Sequence, residues 1–559
     1  MNEDLAAGGK RANPKRGRVW KWLAAITGSL LLLLAIAFIY VARHLEPILK
    51  KRVVDTLSAR FHSPVELDEL HIGASKGLGV TGRGLRVMYI LNTNEQGKQR
   101  TLPMLEVKEF EFHTSYKALL RPPLRVGNVV VRGVRLHLPP GTQRSGPLLK
   151  QGNDKRKETN KAPKESVFVD RIFVHDAILV METDKPGKLP LEFNIQRVVL
   201  TEYARTQPFK YDATLINPKP VGDIHSVGHF GPWNADNPRQ TPLDGDYSFE
   251  HANMDTIKGL GGTLSAKGKF GGVLEGITTD GEADVPDFSL DVSNHPVPLH
   301  TKYHAIVDGT SGDVLLQPVE AWMLRSHFFA TGHIARVKNA DGKSIGHDIY
   351  LDVDMPQARI EDMLQLAVKT SPPLMTGALS MKTNLHIPPG QVPVSKKVEL
   401  HNGRFTIRGA KFSSDKIQSK IDMMSERAQG NPKKANKEEA STVSSTMNGR
   451  FNLQKSNISI QDLLYVMPGA QVVTDGDYSL DGQHFDFHGK VRTKAKLSQM
   501  TTSWKSFLLK AVDPFFQKNN AGAEIPFKII GTKDEPHFGL ELKQKDEDKK
   551  DTTKMAAPK

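Results

Sequence analysis

Two pairs of histidines carry the i, i+4 spacing that lets two imidazoles bind one metal ion from a helix: His225/His229 and His300/His304. Helical zinc proteases also need a Glu directly after the first His, and neither pair has one. Both pairs lie in strand-like sequence, where residues four apart are about 13 Å from each other. The sequence therefore predicts scattered surface histidines and no metal site at these positions.

The glycine-rich run GLGVTG at residues 77–82 matches the G-x-G-x-x-G pattern of dinucleotide sites. Such a site needs a helix after the run to receive the pyrophosphate, and residues 83–90 read as a strand instead. The sequence has no G-x-S-x-G elbow, Walker loop or EF-hand loop, and it has no cysteine. We find no catalytic constellation and expect neither an enzyme nor a cofactor, although Asp and His from distant strands could still meet in the fold.

Residues 22–42 form an uncharged apolar run that is long enough to cross a hydrocarbon core of about 30 Å as a helix. Lys and Arg side chains before the run place the N-terminus in the cytoplasm and the rest of the chain outside it. The alternative is a signal peptide cleaved near Ala35-Ile36-Ala37, but the run is longer than the apolar region of most signal peptides. The predicted anchor residues are Trp22, Leu30, Leu34, Phe38 and Tyr40.

Beyond residue 64 the sequence alternates apolar and polar residues, which is typical of strands with one buried face. Val107 and Phe110 both belong to the apolar set, so the phase slips between them and predicts a bulge at Lys108-Glu109. Asp-Gly and Asn-Gly dipeptides punctuate the alternating runs as turns. The predicted fold class is mainly β, with one N-terminal transmembrane helix, a long curled antiparallel sheet that forms a groove, and a few short helices.

Helical spacing of apolar residues predicts short helices at 45–61 and 358–369 and weaker ones at 414–428 and 498–516. Polar, Lys-rich segments predict disorder. The predicted organisation is a basic cytoplasmic tail at 1–21, a transmembrane helix at 22–42, an N-terminal lobe with an amphipathic helix and β-structure at 43–140, a disordered linker at 141–166, a central β region at 167–410 with a helical insert near 358–369, a weak helix and disordered linker at 411–446, a C-terminal β module at 447–542, and a charged disordered tail at 543–559.

The chain has 76 Lys and Arg against 62 Asp and Glu, a formal net charge of +14. This excess favours acidic partners, including anionic lipid headgroups, and a basic solvated surface explains it equally well. The sequence contains no recognisable nucleic-acid module, and an exported chain would not meet nucleic acid. We therefore expect membrane lipids as partners and no nucleic acid.

Six stretches resemble AsmA-family proteins of diderm bacteria, which are related to TamB-like proteins. They are residues 46–73, 262–290 with its continuation at 295–321, 358–377, 449–492 and 525–542, including the opening EPILKKRVVDTLSARFHSPVELDELHIG and the segment GTLSAKGKFGGVLEGITTDGEADVPDFSL. The resemblance implies a single-pass inner-membrane protein with its bulk in the periplasm and a β-sheet curled into an apolar groove. It also implies phospholipid transport toward the outer membrane, outer-membrane integrity as the role, and an envelope protein as a possible partner.

Alternation gives each strand one apolar face, and the predicted helices are too few to cover all of these faces. Either two sheets pack together as a sandwich, or one sheet curls and leaves an apolar inner wall. The sandwich would suit a non-catalytic tether or a regulator of outer-membrane protein assembly, and the open wall would suit phospholipid binding. The candidate wall residues are Phe110, Phe112, Leu136, Leu351, Phe527 and Ile529.

Overall fold

The computed structural model describes residues 47, 50–55, 57–58, 63–73, 78–91, 100–114, 124–138, 167–181, 190–203, 207–232, 234, 237–341, 343–369, 371–436, 443–480, 483–501, 522–532 and 535–540. The predicted anchor with Trp22, Leu30, Leu34, Phe38 and Tyr40 lies outside them, as do the predicted linker at 141–166, the tail at 543–559 and most of the weak helix at 498–516. In the part of the chain that is described, no helix is both long and apolar enough to cross a membrane.

The described chain is mainly β, as the alternation predicts. Its strands are β1 Val65–Glu66, β2 Glu69–Gly73, β3 Leu78–Leu91, β4 Arg100–Thr114, β5 Leu124–Leu138, β6 Val167–Met181, β7 Leu191–Tyr203, β8 Phe209–Pro218, β9 Val221–Phe230, β10 Pro242–Asn253, β11 Leu260–Gly261, β12 Thr263–Val273, β13 Gly276–Leu290, β14 Val297–Val307, β15 Val314–Met323, β16 Ser326–Lys338, β17 Ser344–Arg359, β18 Met375–Ile387, β19 Glu399–Phe412, β20 Ser445–Gln454, β21 Asn457–Met467, β22 Ala470–Ser479, β23 Phe485–Thr493, β24 Ala523–Gly531 and β25 Pro536–Leu540.

Short helices interrupt the strands. Among the described residues they include the α-helices α1 Ile360–Ala367, α2 Val394–Lys397 and α3 Asp415–Ala428, and 3-10 turns occur at Pro238–Gln240, Met254–Thr256, Lys434–Asn436 and Leu497–Gln499. Residues 50–55 are also helical, within the predicted amphipathic helix at 45–61. Helix α1 lies within the predicted insert at 358–369, and α3 coincides with the weaker candidate at 414–428.

The chain divides into two compact units, the first of residues 1–136 and 143–175, the second of residues 137–142 and 176–559. In the first unit β3, β4 and β5 pair antiparallel in chain order, and β1 and β2 pair with β3. Val53 and Val54 of the helical segment pack against Leu67, Leu70 and Val80. An amphipathic helix therefore covers one end of this small sheet.

The phase slip near Lys108 has a different cause from the predicted bulge. Lys108 lies side by side with Gly84 of β3 and Gly133 of β5, and these three residues form one row across the strands. The β3–β4 and β4–β5 registers run through this row without a shift. Both glycines have left-handed backbones, with φ of +65° and +61°. All three strands therefore change phase in the same row, and glycine supplies the positive φ that other residues resist.

The second unit contains one antiparallel ladder. From β7 to β25 each strand pairs with its neighbour in sequence, apart from the two-residue β11, which pairs with β13. Strand β19 pairs directly with β20, so the ladder continues through the segment predicted as a linker at 411–446. That segment contains α3 and a 3-10 turn, and apolar residues of α3 pack on the end of β21 and the start of β22.

Candidate functional site

The ladder of the second unit has one charged face and one apolar face, because directly opposed residues of antiparallel strands point to the same side. On the charged face, Lys382 Nζ lies 2.7 Å from the Asp354 carboxylate across β17 and β18. Glu524 lies between two cations of β23, 2.9 Å from Arg492 Nε and 3.0 Å from Lys490 Nζ. In each of these cross-strand ion pairs at least one of the two side chains is exposed to solvent. Each pair therefore contributes little to the free energy of unfolding.

The apolar face carries continuous rows of large side chains. One row crosses β15 to β22, and each of its members is the register partner of the next. It contains one glycine and one buried leucine, and its other side chains are half-buried. The row is Leu316, Gly332, Leu351, Leu385, Leu400, Leu453, Ile458 and Tyr478. Because adjacent strands are about 4.8 Å apart, successive side chains of the row touch and shield one another.

Aromatic rings on the apolar face lie over glycines of the neighbouring strand. A Cβ at Gly403 would meet the Phe451 ring at 2.5 Å, and one at Gly476 would meet Phe487 at the same distance. In the first unit a Cβ at Gly82 would be 2.2 Å from Phe110. Each ring therefore occupies the space that an opposing side chain would fill, which lays the aromatic flat along the sheet.

Two described helices, α1 and α3, pack on parts of this face. Ile360 and Met363 of α1 pack on a buried cluster that includes Val353 and Leu379, and Ile421 of α3 packs on a second cluster. Several large apolar side chains of the described ladder, such as Leu351, Leu385 and Leu400, are only half-buried, whereas others, such as Val297 and Met323, are fully buried. Half-burial at Leu351, Leu385 and Leu400 differs from the full burial that a second packed sheet would give.

All six predicted wall residues lie on apolar faces and are half-buried. In the first unit Leu136 opposes Leu105, and the Phe110 and Phe112 rings stack with centroids 6.5 Å apart. These two rings lie in a cavity of about 310 Å³ whose other lining side chains are also all apolar: Leu85, Val107, Val126, Val129 and Val131.

In the second unit the predicted wall residues Leu351, Phe527 and Ile529 belong to the apolar face of the ladder. Leu351 lies in the row described above, and Ile529 opposes Phe487. Phe527 opposes Leu540 of the last strand, whose side chain is 55% exposed. Contact of these six residues with a ligand stays a prediction.

Sequence reasoning missed a group of hydroxyls on the apolar face of β8–β14. Tyr211 Oη is 3.0 Å from Ser226 Oγ, and Tyr247 Oη hydrogen-bonds Tyr303 and lies 3.3 Å from Thr279 Oγ1. Burial and the hydrogen bond with Tyr247 raise the pKa of Tyr303, so its phenol stays neutral. The signal was one Tyr at an apolar-phase position in each of β8, β10 and β14, but only the strand register shows that these hydroxyls meet.

Two buried carboxylates hold α1 against the strand ends. Asp362, 1% exposed, accepts hydrogen bonds from Ser326 Oγ at 2.8 Å and from the backbone N–H and guanidinium of Arg325 at 3.0 and 3.1 Å. Glu361 accepts from the Gly377 N–H at 3.0 Å and from Arg359 Nε at 2.8 Å. Burial opposes the charged form of Glu361, but these donors outweigh it and lower its pKa. From sequence both acids look like the exposed side of a helix.

The histidine pairs considered from sequence lie on the charged face, and each member has its own aspartate. His225 and His229 are each 3.0 Å from a different Asp oxygen, on Asp212 and Asp244. His300 Nδ1 and His304 Nδ1 each lie 2.6 Å from an Asp oxygen of β13. Strand spacing separates the members of each pair, as expected.

Comparisons of the chain with protein-family models, with curated proteins and with solved structures found no match. The resemblance to AsmA-family proteins therefore rests on the residues quoted for it.

Proposed function

We propose that this chain is an inner-membrane protein of envelope biogenesis that binds phospholipid on the apolar face of its periplasmic sheet. The observation that carries the proposal is the row through Leu351, Leu385 and Leu400, which is apolar, continuous across three strands and only half-buried. A contiguous apolar surface of this kind marks a binding site in a folded protein.

In this proposal the sheet curls so that the apolar face lines an open groove leading toward the outer membrane. Acyl chains lie across the strands along the rows, and the headgroups stay in water at the strand ends. Each methylene removed from water contributes about 0.8 kcal/mol, so a chain need only be partly covered to bind stably. Flat rings such as Phe451 and Phe487 over glycines leave few projections to obstruct a chain.

The remaining parts of the proposal rest on sequence. Residues 22–42 anchor the chain in the inner membrane, and the net charge of +14 favours anionic headgroups. The protein has no catalytic role in this proposal. A protein partner in the envelope would receive or deliver the lipid.

The test compares Leu351→Asp with Leu315→Asp in the full chain. Leu351 lies on the apolar face, and Leu315 lies on the opposite face, where it is 47% exposed. Both variants keep the anchor, so lipid that adheres to the anchor is common to them. We expect mass spectrometry of co-purifying phospholipid to show a loss for Leu351→Asp and wild-type amounts for Leu315→Asp.

A measurement that does not depend on the stability of the variants uses a photo-crosslinking amino acid at each of the two positions in cells. Phospholipid adducts should form at position 351 and not at position 315. Absence of adducts at 351, with equal lipid content in both Asp variants, would reject lipid binding and leave the non-catalytic tether as the better account.

A further inference from the structure

The charged face of the ladder brings two histidines and two carboxylates together across β17, β18 and β19. His386 lies directly opposite Glu399 in the β18–β19 register, and His401 follows Glu399 by two positions on the same face. Asp348 comes from β17, on the other side of His386. None of these residues belongs to the apolar face on which the proposed lipid site depends.

The ligand atoms of this cluster are close enough to share one ion. Glu399 Oε2 is 2.9 Å from His386 Nδ1 and 3.2 Å from His401 Nε2, and the three atoms all lie within 4.8 Å of one another. Zinc ligands at about 2.0–2.1 Å in a tetrahedron are about 3.3 Å apart. A small movement of the side chains would therefore place all three around a common centre.

On two of the three ligands, His386 and Glu399, the atom that faces away from this centre has a partner of the kind that orients metal ligands. His386 Nε2 lies 2.8 Å from Asp348 Oδ1, the carboxylate–histidine arrangement that fixes the tautomer and strengthens the imidazole as a ligand. Gln454 Nε2 donates to Glu399 Oε1 at 3.3 Å, which leaves Oε2 for the centre. The Tyr350 ring stacks on His386 with centroids 4.1 Å apart.

Two members of the cluster, His386 and Glu399, are also shielded more than the His300–Asp284 pair of this face, whereas His401 is 39% exposed. The side chains of His386 and Glu399 are 17% and 19% exposed, whereas His300 is 36% exposed. Two imidazoles meet one carboxylate here, while His300 meets only Asp284. Imidazole with carboxylate is a ligand set that suits zinc and its neighbours among the divalent transition metals.

We propose that His386 Nδ1, His401 Nε2 and Glu399 Oε2 bind one divalent transition-metal ion of the zinc class. Asp348 is a positioning residue that orients His386, and the fourth coordination position takes water. The ion replaces the proton that His386 otherwise shares with Glu399, so binding joins β18 to β19 through the side chains. The competing account is that a protonated His386 alone bridges Glu399 and Asp348.

The test uses the full chain without a histidine tag, stripped with a chelator and titrated with Zn²⁺ by isothermal calorimetry. We expect one saturable site, and His386→Gln and His401→Gln should each weaken it by more than about 100-fold, with Asp348→Asn weakening it by about 10- to 100-fold. His300→Gln is the matched control on the same face and should leave the affinity unchanged. Zn²⁺ affinity that is the same in all four variants would overturn the site.

A second measurement covers the case in which a variant fails to fold. Co²⁺ added to the stripped wild type should give the visible absorption of a four-coordinate site with nitrogen and oxygen ligands, and one equivalent of Zn²⁺ should abolish it. A wild-type chain that shows neither this absorption nor saturable Zn²⁺ binding holds only an imidazolium at this cluster, and the proposal fails.

Discussion

Removal of the Asp362 carboxylate should detach α1 from the strand ends. Asp362→Ala leaves the Ser326 hydroxyl and the Arg325 backbone N–H, both donors to the carboxylate, without their acceptor. Ser326 is itself 1% exposed and accepts from the Arg359 N–H at 3.0 Å, so the loss extends to the start of the helix.

The magnitude follows from these contacts. Each hydrogen bond from a neutral donor to a buried charged acceptor contributes about 1.5–3 kcal/mol, and there are two here, so the substitution should cost about 3–6 kcal/mol. The guanidinium of Arg325 adds little, because its side chain is 64% exposed and surface ion pairs are worth about 0–1 kcal/mol. Arg325→Ala should therefore cost less than about 1 kcal/mol. Asp362→Asn keeps one acceptor oxygen and should lie between the two.

Amide hydrogen exchange followed by mass spectrometry gives the local free energy of opening for peptides of α1, β17 and β18. We expect these peptides to lose the most protection in Asp362→Ala, less in Asp362→Asn and the least in Arg325→Ala. Peptides of β8–β10 should keep their protection in all three variants. If Asp362→Ala and Arg325→Ala cost the same, the ion pair would hold the helix and the reasoning from the two neutral donors would be refuted.

Three further predictions concern other parts of the chain. Gly403→Ala should destabilise β19 and β20, because the new Cβ would meet the Phe451 ring at 2.5 Å, and hydrogen exchange of those strands reports it. Because the pKa of Glu361 is lowered in the fold, its carboxylate stabilises the fold at pH above the ordinary value of 4.5, and this stabilisation is lost as pH falls through the pKa in the folded state. The difference in free energy of unfolding between wild type and Glu361→Gln, measured in urea, should therefore shrink toward zero in acid. A difference that stays constant with pH would contradict this. An alkaline phosphatase fusion after residue 540 should be active if residues 22–42 export the chain, and an inactive fusion would refute the topology.

Local patterns in the sequence predicted the strands and their apolar faces. Leu351 and Ile529 lie on the apolar face because a two-residue period is a property of each strand by itself. The helix at 415–428 follows likewise from the spacing of its own residues. The row of Gly84, Lys108 and Gly133 was not predictable, since it needs two registers, β3–β4 and β4–β5, at once. The same holds for His386 and Glu399, which face each other in the β18–β19 register. That register depends on the length of the connection between the two strands, which the sequence pattern does not define.

The pairing of each strand with its sequence neighbours makes the second unit modular along its length. Adding or removing one hairpin would shift all later strands by about 9.6 Å across the sheet. The remaining strands would keep their partners. The distance spanned by such a protein can thus be adjusted by internal duplication without a new core. Folding gains from the same arrangement, because most pairings join strands that are close in sequence, and pairing can begin anywhere along the chain.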